Sequence, residues 1–177
     1  MPETLNKFLK NKGYCSVNLI CLKTKHYLIE AKINGINGKF ILDSGASNSC
    51  LCISQENKFK LESKKSKISA SSATSEMSNT NISKKNFIVV SEWEGLIDLV
   101  TFDMSHINKT FNEKEIESVD GIIGADVLKK SKGVLDYKSN KLYLKLWFNR
   151  FYNFNYRFFS KDITYWKNYT YKTKNYY

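Results

Sequence analysis

A chain of 177 residues suits one domain with a tail, and 42% apolar residues supply a core of ordinary size. Its 28 basic against 17 acidic side chains give a net charge of +11. A surface that basic can recruit nucleic acid, anionic lipid or acidic peptides, but no Arg/Lys cluster resembles a groove-reading motif, and solvated lysines account for the charge.

The N-terminal residues 1–13 lack the apolar core of a secretory signal, and nothing is apolar and long enough to span a bilayer. Cys15, Cys21, Cys50 and Cys52 form no Cys-x-x-Cys pair, and only His26 and His106 are available to join them. No metal and no cofactor are expected. The reading is a cytoplasmic protein with reduced thiols, Cys50 and Cys52 being buried and inert.

Along the chain, Leu5, Phe8 and Leu9 share a helical face, so a short helix is expected over 3–11, ended by Gly13. Val17–Leu22 and Tyr27–Ile33 read as strands, and in the second Tyr27, Ile29, Ala31 and Ile33 lie on one face. A turn over 34–38 returns the chain as Lys39–Leu42, which delivers Asp43 at its end. Residues 67–77 are polar and small between Ile68 and Met77. Phe87–Ser91 and Leu96–Phe102 read as strands linked through Trp93, and Ser105–Glu117 as polar chain holding a helical turn. Gly121–Gly124 reads as a buried strand, Ala125–Lys130 as a short helix, and Gly133–Asp136 and Lys141–Leu146 as closing strands around a turn at 137–140. Many short strands with few helices give an all-β, barrel-like fold.

Beyond Leu146 the composition changes. Residues 147–177 hold 14 of the 25 aromatics, with six basic residues and a single acid, Asp162, and keep no strand or helix period. The segment reads as an extension that packs loosely or stays disordered, or as a poorly selected reading-through segment. Its alternation of aromatics with Lys, Arg and Asn also fits stacking on single-stranded nucleic acid or a membrane interface.

The most informative stretch is Asp43-Ser44-Gly45-Ala46-Ser47 behind Phe40-Ile41-Leu42. Some 80 residues later come Val119-Asp120-Gly121-Ile122-Ile123-Gly124 and then Ala125-Asp126-Val127-Leu128. Apolar strand, Asp-Ser-Gly, long insert, apolar-apolar-Gly and short helix resemble, in that order, one lobe of an aspartic protease of the retropepsin-like family, small bacterial type. Ile33-Asn34-Gly35 and Phe102-Asp103-Met104-Ser105-His106 extend the resemblance, which covers roughly residues 27–146. It divides the chain into an N-terminal helix/strand extension (1–26), the protease domain (27–146) and the aromatic, basic tail (147–177).

The resemblance implies a closed, barrel-like acid-protease lobe that works as a homodimer on peptide or protein substrates. Asp43 is then the catalytic residue. Gly45 permits a sharp turn, Ala46 completes the loop, Ser44 bonds across to the partner loop, and Ser47 orients the Asp43 carboxylate. Ala70, Ser71, Ser72, Ala73 and Thr74 take the place of the flap. Ile122, Ile123 and Gly124 close the barrel behind the Asp loop, and Asp126 starts the following helix as a cap or in a salt link. Two carboxylates must share one proton for peptide hydrolysis, so one Asp turn is half a site. Asp120-Gly121 lacks the hydroxyl residue of a second turn. His26 and His106 read as structural. The Ser-rich flap, and serine in place of the usual threonine at position 44, keep open a catalytically restricted binding module. The tail keeps open a nucleic-acid or membrane-surface binder.

Overall fold

The computed structural model describes residues 3–66, 70–72, 75–77 and 80–147. The chain divides at the Leu146–Trp147 bond, and every described element lies before it. Helix α1 (Leu5–Asn11) is capped by Thr4, whose hydroxyl accepts the Lys7 amide, and buries only Leu9. The strand expected over Val17–Leu22 is two strands, β1 (Tyr14–Asn18) and β2 (Ile20–Cys21). The chain changes partner between them: β1 pairs with the C-terminal strand, β2 with β3 (Tyr27–Ile33), and the Leu19 amide donates to the Asn140 carbonyl. Asn34 and Gly35, both at positive φ, form the two-residue turn into β4 (Ile36–Leu42), a turn whose twist matches the flanking strands.

After the Asp43 turn come β5 (Cys50–Cys52), a 3-10 turn over Ile53–Gln55, and β6 (Ser63–Lys65). A separate hairpin, β7 (Ala70–Ser72) with β8 (Ser75–Met77), precedes the long strands β9 (Asn81–Val90) and β10 (Trp93–Phe102). Trp93 belongs to β10 itself and is 2% exposed, so the link is the two residues before it. Then follow α2 (Ser105–Asn112), β11 (Gly121–Ile123), α3 (Ala125–Lys130), β12 (Val134–Asp136) and β13 (Lys141–Lys145). The expected turn at 105–117 is thus a helix of eight residues. The Asp103 carboxylate accepts the Ser105 amide at its start, and Met104 and Phe111 bury themselves beneath it.

Six strands close a barrel in the order β3-β4-β11-β5-β10-β9, and β9 returns to β3 through Lys32 opposite Val89 and Ile33 opposite Ile88. β4 with β11 and β5 with β10 are parallel, while the other barrel pairs are antiparallel. β6 lies outside β9, and β1-β13-β12 make a second sheet. Ile29, Phe40, Leu42, Leu51, Ile97, Leu99 and Ile123 fill the barrel, and Leu142 and Leu144 of the second sheet join the same core. A second cluster, with Ile41, Cys50 and Cys52 against Met104, Phe111 and Val119, covers the other side of β4 and β5. β4 and β5 are therefore buried on both faces, which is why Phe40-Ile41-Leu42 carries no polar alternation.

Candidate active site

Two parallel neighbours set the Asp43 turn. β4 ends at Leu42 beside Ile123 of β11, and the Asp43 amide donates to the Ile123 carbonyl at 3.0 Å. The Ala46 amide closes the turn onto the Asp43 carbonyl at 3.2 Å. Asp43 is exposed, and its Oδ1 accepts the Gly45 amide at 2.8 Å. This side-chain-to-backbone bond two residues on is the contact that aspartate turns provide. The orienting partner is thus Gly45. The Ser47 side chain, from which that bond was expected, is exposed and makes none to Asp43 among the described residues. Nor does Gly45 adopt a left-handed conformation. Its lack of a side chain counts through space, since a Cβ there would stand 3.2 Å from Asp43 Oδ1.

Behind the turn, the Ala125 amide at the start of α3 donates to the Ala46 carbonyl at 2.7 Å. The hydroxyl of Ser49, 1% exposed, accepts the Gly124 amide at 2.9 Å and donates to Asp126 Oδ1 at 2.7 Å. The Ser49 carbonyl takes the Val100 amide of β10 at 3.2 Å. Gly124 lies so close to the loop that a Cβ would come within 2.7 Å of the Ala46 carbonyl oxygen and 2.8 Å of Asn48. Asp126 neither caps α3, whose N-cap is Gly124, nor joins a described salt link. It holds Ser49. Ser49 is the residue that sequence reasoning missed. Its only signal is a hydroxyl six positions after Asp43 at the entry to an apolar triplet.

No family model and no curated protein matches the sequence. Among solved structures the chain is similar to a retropepsin-like aspartic protease from Rickettsia conorii. The identity is 17%, covering 74% of this chain and 89% of that one, at a TM-score of 0.51. The chain has the retropepsin-like fold. The EIAV protease complexed with the inhibitor HBY-793 aligns with a TM-score of 0.46 (17% identity, 61% of this chain, 89% of that one). The retroviral protease-like domain of Ddi1 from Leishmania major aligns with a TM-score of 0.45 (16% identity, 72% of this chain, 89% of that one).

Within this retropepsin-like lobe, Asp43, Ser44, Gly45, Ala46 and Ser47 form one turn, with Ile122, Ile123, Gly124 and Asp126 behind it. Ser44 is exposed. Ala70, Ser71 and Ser72 lie on β7, while Ala73 and Thr74 fall outside the described residues. Residues 148–177, with the contacts expected of the tail, also fall outside them.

Asp120 sits at the opposite end of the β4–β11 pair. Its carboxylate accepts the Lys39 amide at 2.9 Å and Lys58 Nζ at 2.6 Å. Four strand positions from Lys39 to Asp43 amount to about 13 Å, too far for two carboxylates to share a proton. A cleft of about 660 Å³ lies at that end, lined among others by Lys32, Lys39, Lys58 and Asp120. Two of its lysines are neutralised, Lys58 by Asp120 and Lys39 by Glu117.

The His26 ring lies 6.1 Å from that of Phe111, tilted by 50°, and the His106 carbonyl accepts the Thr110 hydroxyl. Burial pushes the Cys50 thiol up to about 12, the Asp126 and Asp43 carboxylates adding to the shift against a hydrogen bond from Ile122. A thiol so held carries no nucleophile at neutral pH. What remains is one exposed carboxylate on a turn bonded on three sides. It can accept a proton, but acid–base hydrolysis of an amide needs a second group in the complementary protonation state.

Proposed function

We propose that this chain is an aspartic endopeptidase whose dyad is Asp43 from each of two identical chains. The supporting observation is the exposed Asp43 carboxylate on a turn tied to β11, α3 and β10 within a retropepsin-like fold. A two-fold axis beside the turn would bring the second carboxylate to the first. Like charges at that distance cannot both ionise, so one Asp43 keeps a proton that polarises the scissile carbonyl. The other takes a proton from the attacking water. Ser44, exposed on the same turn, is the proposed cross-dimer hydrogen-bonding residue, and the hairpin including Ala70–Thr74 is the proposed flap over an extended peptide. No cofactor enters this chemistry. A cytoplasmic location belongs to the same proposal and rests on the cysteine usage.

The test is a peptidase assay of the full chain and of Asp43→Asn, on a peptide library between pH 4 and 8. The expected outcome is cleavage in the wild type, best on the acid side, with a bell-shaped profile belonging to the pair, and loss of at least about a hundredfold in the variant. Equal activity of the two would remove Asp43 from catalysis. A folded dimer that binds peptides without cleaving them would favour the restricted binding module.

A further inference from the structure

Glu56 stands outside the Asp43 site, and its carboxylate is partly buried. It is held on a firm mount. The Glu56 amide donates to the Ile53 carbonyl, the Leu61 amide returns to the Glu56 carbonyl at 3.0 Å, and Phe59 between them is fully buried in the core. From this mount Oε1 accepts the Thr101 hydroxyl of β10 and Asn81 Nδ2 of β9 at 3.1 Å. The Ser63 hydroxyl of β6 is buried without a hydrogen-bond partner among the described residues. Burial alone would raise the Glu56 carboxyl. The hydrogen bonds from Thr101 and Asn81 outweigh burial and hold it below its ordinary value.

The two partners, Thr101 and Asn81, are not scattered. β6 and β9 are two antiparallel legs that pair from Ser63–Ser83 to Lys65–Asn81, and Asn81 begins the second. Thr101 pairs with Asn81 on one side and with Leu51 of β5 on the other. Its neighbour Val100 donates to Ser49, the residue that ties the Asp43 loop to α3. Glu56 therefore ties the start of β9 to the barrel strand whose Val100 amide also bonds Ser49 behind the Asp43 turn.

We propose that Glu56 is a positioning residue for these legs: its carboxylate fastens the Asn81 end of β9, and with it the Lys65 end of β6 that pairs there, to Thr101 of β10. Its bearing on substrate rests on the reading of the chain as a peptidase with a flap. The anchoring itself does not. A charged acceptor with one hydroxyl donor and one amide donor is stronger than a neutral acceptor at the same place. None of the salt bridges among the described residues involves it.

The experiment compares the full chain with Glu56→Leu, which removes the acceptor, and Glu56→Gln, which keeps Oε1. Amide hydrogen exchange is read at Ser63–Lys65 and Asn81–Ser83 and at the barrel strands β3, β4 and β11. The leucine variant is expected to speed exchange at the two legs roughly tenfold, as loss of a charge-assisted bond implies. The barrel strands should be unchanged, and glutamine should restore most of the protection. With a cleavable peptide, KM should rise with little change in kcat, which a mere loss of folded protein would not produce. Equal acceleration in all strands, or no acceleration at the legs, would overturn the anchor. If leucine prevents folding, Asn81→Ala reports on the β9 leg with the same two outcomes. A wild type without peptidase activity sinks the functional reading and leaves the exchange result to decide on Glu56.

Discussion

Ser49 shows how one buried hydroxyl holds the Asp43 turn in place. It accepts the Gly124 amide and donates to Asp126, while the charged turn itself faces solvent. Ser49→Ala would leave a buried amide and a carboxylate without their partner, so a loss of about 1–3 kcal/mol in urea unfolding is expected. Ser47→Ala, on the exposed side of the loop, should stay within about 0.5 kcal/mol. Equal losses would mean that the turn is not held from behind. The thiols give a second residue-scale expectation. Cys21 is exposed and Cys15, Cys50 and Cys52 are buried, so a thiol reagent at pH 8 should modify one cysteine in the native chain and four after unfolding. Because the Cys50 thiol is raised from 9.0 to about 12 in the fold, the unfolded chain loses that proton first as pH rises. Its contribution to stability is complete below about pH 9 and is lost from there up to about pH 12. Protection of Cys50 from the reagent should fall away over the same window.

At the scale of elements, β11 is the narrowest joint. It has three residues, runs parallel to β4 and antiparallel to β5, and a Cβ on Gly121 would stand 2.1 Å from the Cys50 carbonyl oxygen. Gly121→Ala must push β11 off β5 and disturb the Ile123 carbonyl that receives the Asp43 amide. A loss of about 3 kcal/mol or more is expected in thermal unfolding, with reduced peptidase rate in whatever folds. A variant as stable as the wild type would show that the strands have room to part.

The same joint explains what could be read from the chain beforehand. β3, β4, β11 and α3 were legible because period-two burial, turn residues and glycines agree at those positions. β5 was not, since Cys50-Leu51-Cys52 is three residues without alternation and exists through pairing with β10 and β11. The first half of β9 was hidden by Asn81, Ser83 and Asn86. Ser83 and Asn86 are buried but satisfy one another, Asn86 Nδ2 donating to the Ser83 carbonyl at 3.0 Å. Asp43 and the glycine behind it were visible as a motif. The Ser49–Asp126 link and the Glu56 anchor were not, because each joins positions far apart in sequence through ordinary polar residues.

For the molecule as a whole, half a site per chain makes activity depend on pairing. At a net charge of +11 per chain, two copies repel at low ionic strength, so moderate salt should favour the pair. Dilution alone is an ambiguous test, because loss of rate can also reflect adsorption or unfolding. Mixing is cleaner. Asp43→Asn keeps the shape and size of the turn residue, so it should pair with the wild type at random. One equivalent added to a fixed amount of wild type, with time for exchange, replaces about half of the wild-type pairs by mixed pairs. A mixed pair has a single ionisable carboxylate and cannot divide the acid and base roles. The rate per wild-type chain should therefore fall about twofold, and further with more variant. Sedimentation of the same mixtures must show that total dimer is maintained. A rate indifferent to added Asp43→Asn chain, with subunit exchange demonstrated, would mean that one chain carries a complete site. The second carboxylate would then have to come from within the chain, a place that Asp120, bound by Lys39 and Lys58 at the far end of β4, cannot fill.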